Sequence, residues 1–189
     1  MAFSGRAGVD EDRPGRLVGA ARALADESGS AAFTVAQLTA RAGLSLKAFY
    51  SCFRGKDDLL LALLAEDSRI GAGVLAARIG ERTGAEGLRA YVFELFEMLT
   101  LPGAVGYAGV LVREYRRLTE LHDDELRDAL APLVDLLAGN IDSDDPKRDA
   151  RTMFGVLLGG IHDIVVGRAA DPHELACYLE RFCTRGVGA

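Results

Sequence analysis

The 189-residue sequence has no tryptophan, three cysteines and an aromatic share of only 7%. Three cysteines (Cys52, Cys177 and Cys183) are too few, and odd in number, for a disulfide framework. They suit a reducing compartment, so a cytoplasmic location is expected. Lysine is scarce as well, with three residues against nineteen arginines, which reads as the codon bias of a GC-rich genome. No apolar run approaches the roughly 20 residues of a membrane span. Arg6, Asp10, Glu11 and Asp12 interrupt the stretch where an apolar signal core would lie. No membrane partner is expected. Catalytic motifs are missing too: there is no phosphate-binding glycine loop, no nucleophile elbow and no zinc pattern. His122, His162 and His173 are too scattered to supply the three or four converging ligands of a metal site. The expectation is no enzyme, no catalytic residue and no cofactor.

What is present is a globular composition, 49% hydrophobic and 26% charged. Ala, Leu, Arg and Glu are plentiful while Val, Ile and Thr are modest, which favours an all-α fold. The net charge of −6 argues, taken alone, against a nucleic-acid partner. The sum hides an asymmetry. Residues 13–56 carry seven Lys/Arg against two Asp/Glu, a balance of +5, and residues 57–189 carry a balance of −9. A basic front segment is joined to an acidic body.

Residues 1–12 read as a disordered lead. Pro14 fits the first turn of a helix that carries Leu17, Ala20, Ala21 and Leu24 at helical spacing and stops at Gly29. Thr34 and Gln37 form the pattern of a capping box, with Phe33 and Leu38 placed as its hydrophobic staple. Gly43 offers the left-handed conformation of a tight turn. Ser45 caps a third short helix, Leu46 to Cys52, on which Phe49 and Phe53 share one face. A long fourth helix begins after Gly55, with Asp57 and Asp58 in its first turn, and runs to about Ile79. The spacing then predicts helices over about 86–100, 104–118, 123–139, 147–169 and 172–185. No strand, repeat or low-complexity tract is evident.

Three short helices with a glycine turn between the second and third describe a helix-turn-helix. Its third helix would project Leu46, Lys47, Tyr50 and Ser51 toward a major groove, with Phe49 and Phe53 anchoring the opposite face. The cation excess of the segment supplies attraction to phosphate. The stretch Phe33-Thr34-Val35-Ala36-Gln37-Leu38, then Ala42-Gly43-Leu44-Ser45, then Ala48-Phe49-Tyr50, Phe53, Lys56 and Leu59, resembles the signature of the TetR family of transcriptional regulators. The resemblance implies a homodimer whose two recognition helices read successive major grooves of a near-palindromic operator in double-stranded DNA. It implies a helix-turn-helix domain over 13–60 and a helical ligand-binding and dimerisation domain over 61–189. It also implies that a small molecule in the second domain releases DNA, as from a repressor. Thr34 would meet phosphate, and Gln37 would close the capping box or reach DNA. Lys47 and Ala48 fall at base-contacting positions, Tyr50 at a backbone contact and Lys56 at a phosphate grip. Ser45 caps its helix, with phosphate contact secondary. The chain departs from the usual pattern at Lys47, Ser51 and Cys52, which bears on the operator sequence and not on the binding mode.

In the body, Tyr91, Phe96, Leu99, Tyr107, Leu111, Tyr115 and His162 are candidates to line a pocket for a small apolar effector, the default alternative being ordinary core. Gly155, Gly159 and Gly160 clear one face of the eighth helix for close approach. Together with Leu175, Tyr178, Leu179 and Phe182 of the ninth, they are the expected dimer interface. Two other readings stay open: a ligand-independent regulator controlled by a protein partner, and a helical ligand-binding or scaffold protein without DNA binding.

Overall fold

The computed structural model describes residues 12–101, 103–169 and 171–186; apart from Asp12, the lead expected over residues 1–12 lies outside them. Among the described residues there are nine helices and no strand. They are α1 (Arg13–Ser28), α2 (Val35–Ala42), α3 (Leu46–Cys52), α4 (Lys56–Ile79), α5 (Gly84–Thr100), α6 (Ala104–Leu121), α7 (Asp123–Ala138), α8 (Pro146–Val165) and α9 (Pro172–Gly186).

Local chemistry sets the head. The Thr34 hydroxyl accepts from the Gln37 amide at 3.1 Å, and the Gln37 carbonyl oxygen Oε1 accepts from the Thr34 amide at 2.8 Å, so the capping box closes. After α2 the chain turns at Gly43, whose φ of 63° lies in the left-handed region. The Leu44 amide then donates back to the Thr39 carbonyl at 2.9 Å, completing a Schellman-type end. Arg16 of α1 donates to the Ala42 carbonyl at 2.6 Å and pins that turn to the first helix. The Ser45 hydroxyl accepts from the Ala48 amide at 3.2 Å and starts α3.

Two apolar clusters run through the molecule, and α4 belongs to both. The first joins Leu17, Leu38, Phe49 and Leu59 of the head to Val110 and Leu118 of α6 and Leu126 of α7. The second gathers Leu75, Leu88, Tyr91, Leu137, Phe154 and Leu157 in the body. The head therefore shares its core with α6 and α7. Within the body α4 lies along α7, and α9 packs on α5 and α8. Two helix ends differ from the periodicity. α6 continues to Leu121 because nothing before His122 interrupts it, and α8 stops at Val165, where Gly167 turns left-handed with φ 71°. No single helix among the described residues is long and apolar enough to cross a membrane.

Candidate nucleic-acid interface and effector cavity

On α3 the inward face is closed by Phe49, which is fully buried and stands 5.8 Å from the Phe53 ring. The outward face carries Leu46, Lys47 and Tyr50, with Tyr50 61% exposed and its ring edge-on to Phe49 at 5.1 Å. Lys47 is exposed and has neither hydrogen bond nor ion pair among the described residues. Thr34 and Gln37 are exposed and bonded to each other in the capping box, the first of the two roles expected for the Gln37 side chain. Ala48 is half-buried, and the Ser51 hydroxyl donates to the Ala48 carbonyl at 2.7 Å.

Lys56 differs from its expected role. Its ammonium donates to the Ala31 carbonyl and lies 4.6 Å from the centre of the Phe33 ring. Burial pulls it below the ordinary lysine range. Here the group that the resemblance assigns to phosphate ties the start of α4 to the loop before α2.

The head is held to the body by charge. Arg22 of α1 donates to Asp67 Oδ1 of α4 at 2.7 and 2.9 Å and to Glu66 at 3.1 Å. Tyr107 of α6 donates to the other oxygen of Asp67 at 2.5 Å. Burial, then the Asp67 carboxylate, holds the Tyr107 phenol far above its usual range. Arg117 of α6 donates to Asp57 at 2.6 Å, and His122 lies 3.6 Å from the same carboxylate. The Arg117 hydrogen bond is the main reason Asp57 titrates below the ordinary carboxylate range. Arg113 donates to the Gly29 carbonyl at 2.6 Å.

Above this joint lies an apolar cavity of about 130 Å³ among α4, α5, α6, α7 and α8. Leu99, Leu111 and Tyr115 line it, as expected. Four other candidates do not. Tyr91 is fully buried and donates to the Leu133 carbonyl at 3.2 Å, and Phe96 packs toward Gly160. Tyr107 belongs to the joint. His162 sits in an adjoining groove with Arg116, Asp163 and Arg168, across the Val112, Tyr115 and Leu158 wall that the two share, its Nε2 3.3 Å from Arg116. Helical periodicity finds the inward faces of α5 and α6, but not which inward residues meet a void. The wall also contains Asp67 and Ser68, which the sequence reading missed. Their signal was available: Leu60, Leu64, Ser68, Gly71 and Leu75 recur at helical spacing, and Ser68 is a polar break in that stripe.

On the outer side of the body, Gly155 and Gly159 are exposed with open space above them. Tyr178 and Phe182 are each 56% exposed and stack at 6.4 Å. Leu179, expected at the dimer interface, is buried within the protomer against Gly160, and Leu175 is half-buried beside it. The reason is register: residue 179 falls on the face of α9 turned to α5 and α8, while 178 and 182 fall on the face turned outward.

A helix-turn-helix head bolted to a helical body defines a class of DNA-binding regulators. Residues 17–63 match the profile of bacterial regulatory proteins of the tetR family. The whole fold is similar to that of a TetR transcriptional regulator from Rhodococcus sp. RHA1, with a TM-score of 0.73 and 18% identity over 92% of this chain and 94% of that one. It is similar to the transcriptional regulator FadR from Bacillus subtilis, solved in complex with stearoyl-CoA, with a TM-score of 0.70 and 19% identity over 91% and 98% of the two chains. It is also similar to RolR in complex with resorcinol, with a TM-score of 0.66 and 20% identity over 97% and 91%. At these identities the likeness is one of fold. No curated protein matches the chain in sequence.

Proposed function

We propose that the chain is a cytoplasmic homodimeric repressor that binds a near-palindromic operator through α3 and is released from it by a small apolar molecule bound in the body. The observation that carries this reading is the double role of Asp67. Its carboxylate lines the cavity and at the same time holds Arg22 of the head and Tyr107 of α6. A molecule that shifts α4 at Asp67 changes the angle of the head relative to the body. Two heads matched to grooves about 34–36 Å apart lose that match when the angle changes. Release follows only from a difference in ligand affinity between the two geometries.

Lys47 and Tyr50 are the groups assigned to DNA, with Thr34, Ser45, Ala48 and Ser51 flanking them. Tyr178 and Phe182, with the open glycine face of α8, are the groups assigned to the partner protomer. Two of the solved relatives hold an acyl-CoA and a dihydroxybenzene, which supports a small-molecule effector without fixing its kind. The test is fluorescence anisotropy with the DNA upstream of the chain's own gene, against a scrambled duplex, over a range of salt. Preference for the upstream DNA with a steep salt dependence is expected. Equal affinity for both duplexes sinks the reading.

A further inference from the structure

We propose that the body cavity takes a neutral molecule of about one six-membered ring that carries a single hydrogen-bonding group paired with the Ser68 hydroxyl. This deepens the effector reading above and rests on it for biological meaning, though not for the binding itself. Size comes first. A void of about 130 Å³ is close to the engineered apolar cavity of about 150 Å³ that stays dry and accepts benzene. A guest of about one ring fits it without the walls moving.

Polarity comes second. Leucine, methionine, phenylalanine and isoleucine side chains form most of the wall, and the charged or hydroxyl-bearing groups in it are Asp67, Ser68 and Tyr115. Ser68 is 2% exposed, and its Oγ is buried with no hydrogen-bond partner. Buried hydroxyls are nearly always paired, and an unpaired one beside a void is a donor and acceptor waiting for a guest. Asp67 is the less available of the two, since Oδ1 already accepts two bonds from Arg22 and Oδ2 one from Tyr107, whereas Ser68 has no partner among the described residues.

Charge comes third. An anionic guest would face the Asp67 carboxylate with Arg22 already engaged by it. A cationic guest would have to displace that arginine. The other nearby cations, Arg116 and Arg168, lie in an adjoining groove with His162 that shares Val112, Tyr115 and Leu158 with the cavity wall, and neither arginine lines the cavity itself. The guest is therefore neutral.

Phenol, toluene and benzoate serve as probes for calorimetric titration of the full-length protein. Phenol and toluene are expected to saturate one site per chain, and benzoate is not. Ser68→Ala is expected to weaken phenol about three- to tenfold, the worth of one hydrogen bond, and to leave toluene unchanged or slightly tighter. Leu99→Phe, which fills the void, is expected to abolish both. Unchanged phenol affinity in Ser68→Ala overturns the proposal, as does benzoate binding as tightly as phenol. Phenol binding that survives Leu99→Phe overturns it too, as does the absence of any saturable binding. Anisotropy with the upstream DNA on the same samples separates the two readings. Phenol binding without DNA binding sinks the regulator alone, and DNA binding without phenol binding sinks the cavity proposal alone.

Discussion

Lys47 and Lys56 are nine residues apart and both are assigned to DNA by the resemblance, yet their ammonium groups have different surroundings. Lys47 stands in solvent on the outer face of α3, and Lys56 points back onto the Ala31 carbonyl and the Phe33 ring. Counterion release counts only cations that reach phosphate. Lys47→Ala is therefore expected to flatten the salt dependence of DNA affinity by about one unit in the log–log slope. Lys56→Met keeps the stem over Phe33 and removes the charge. It is expected to leave the slope unchanged and to alter stability by less than about 1 kcal/mol, because desolvation offsets the contact with the ring. Anisotropy at five salt concentrations, with urea unfolding of the same variants, checks both. An equal loss of slope for Lys56→Met would show that its side chain swings out to phosphate on DNA.

At the scale of the element, the most legible parts were those with punctuation. The capping box of α2, the glycine turn and the serine cap of α3 appear where Thr34, Gln37, Gly43 and Ser45 stand, because each uses short-range hydrogen bonds. The faces of α8 and α9 were harder to read. Gly155, Gly159 and Gly160 look alike in sequence, but one residue of register separates an open face from a packed one. A Cβ at Gly160 would collide with Leu179 and come within 3.2 Å of Phe96, whereas Gly155 and Gly159 have open space. Gly160→Val is thus expected to destabilise the fold by about 1–3 kcal/mol through overpacking. Gly159→Ala is expected to raise helix stability by roughly 0.5–1 kcal/mol. Thermal unfolding distinguishes them, and similar effects at both positions would mean the register is wrong. The outward pair on α9 makes its own prediction. Placing charge there, as in the double variant Tyr178→Glu and Phe182→Glu, is expected to convert a dimer into a folded monomer in sedimentation. A variant that stays dimeric moves the interface elsewhere. The cavity was the least legible feature, since a void depends on how five helices meet and no single helix records it.

At the scale of the whole molecule, the division of charge at residue 56 cuts through real ion pairs. Arg22 and Arg54 are part of the basic front segment, but their partners Asp67, Glu66 and Asp58 lie beyond it. Part of the cation excess is therefore structural, and it fastens the head to α4 and α6. The Asp57–Arg117 contact is the point where this fastening responds to pH. Asp57 is depressed in the folded state by Arg117, first through the hydrogen bond and then through the charge. A carboxylate depressed on folding adds stability that is complete above its unfolded value of about 3.9 and drains as the pH falls through the folded value. Asp57→Asn removes that contribution at every pH. The urea midpoints of the protein and of Asp57→Asn are expected to differ most near neutrality. They should converge below about pH 4 and coincide once Asp57 is protonated in both states. Asp58, held low by Arg54, drains over a similar range. It does so equally in both proteins, so it lowers both curves without closing the gap between them. A gap that stays constant down to pH 2.5 would mean that the substitution acts through something other than the ionisation of Asp57, and that charge contributes nothing at this joint.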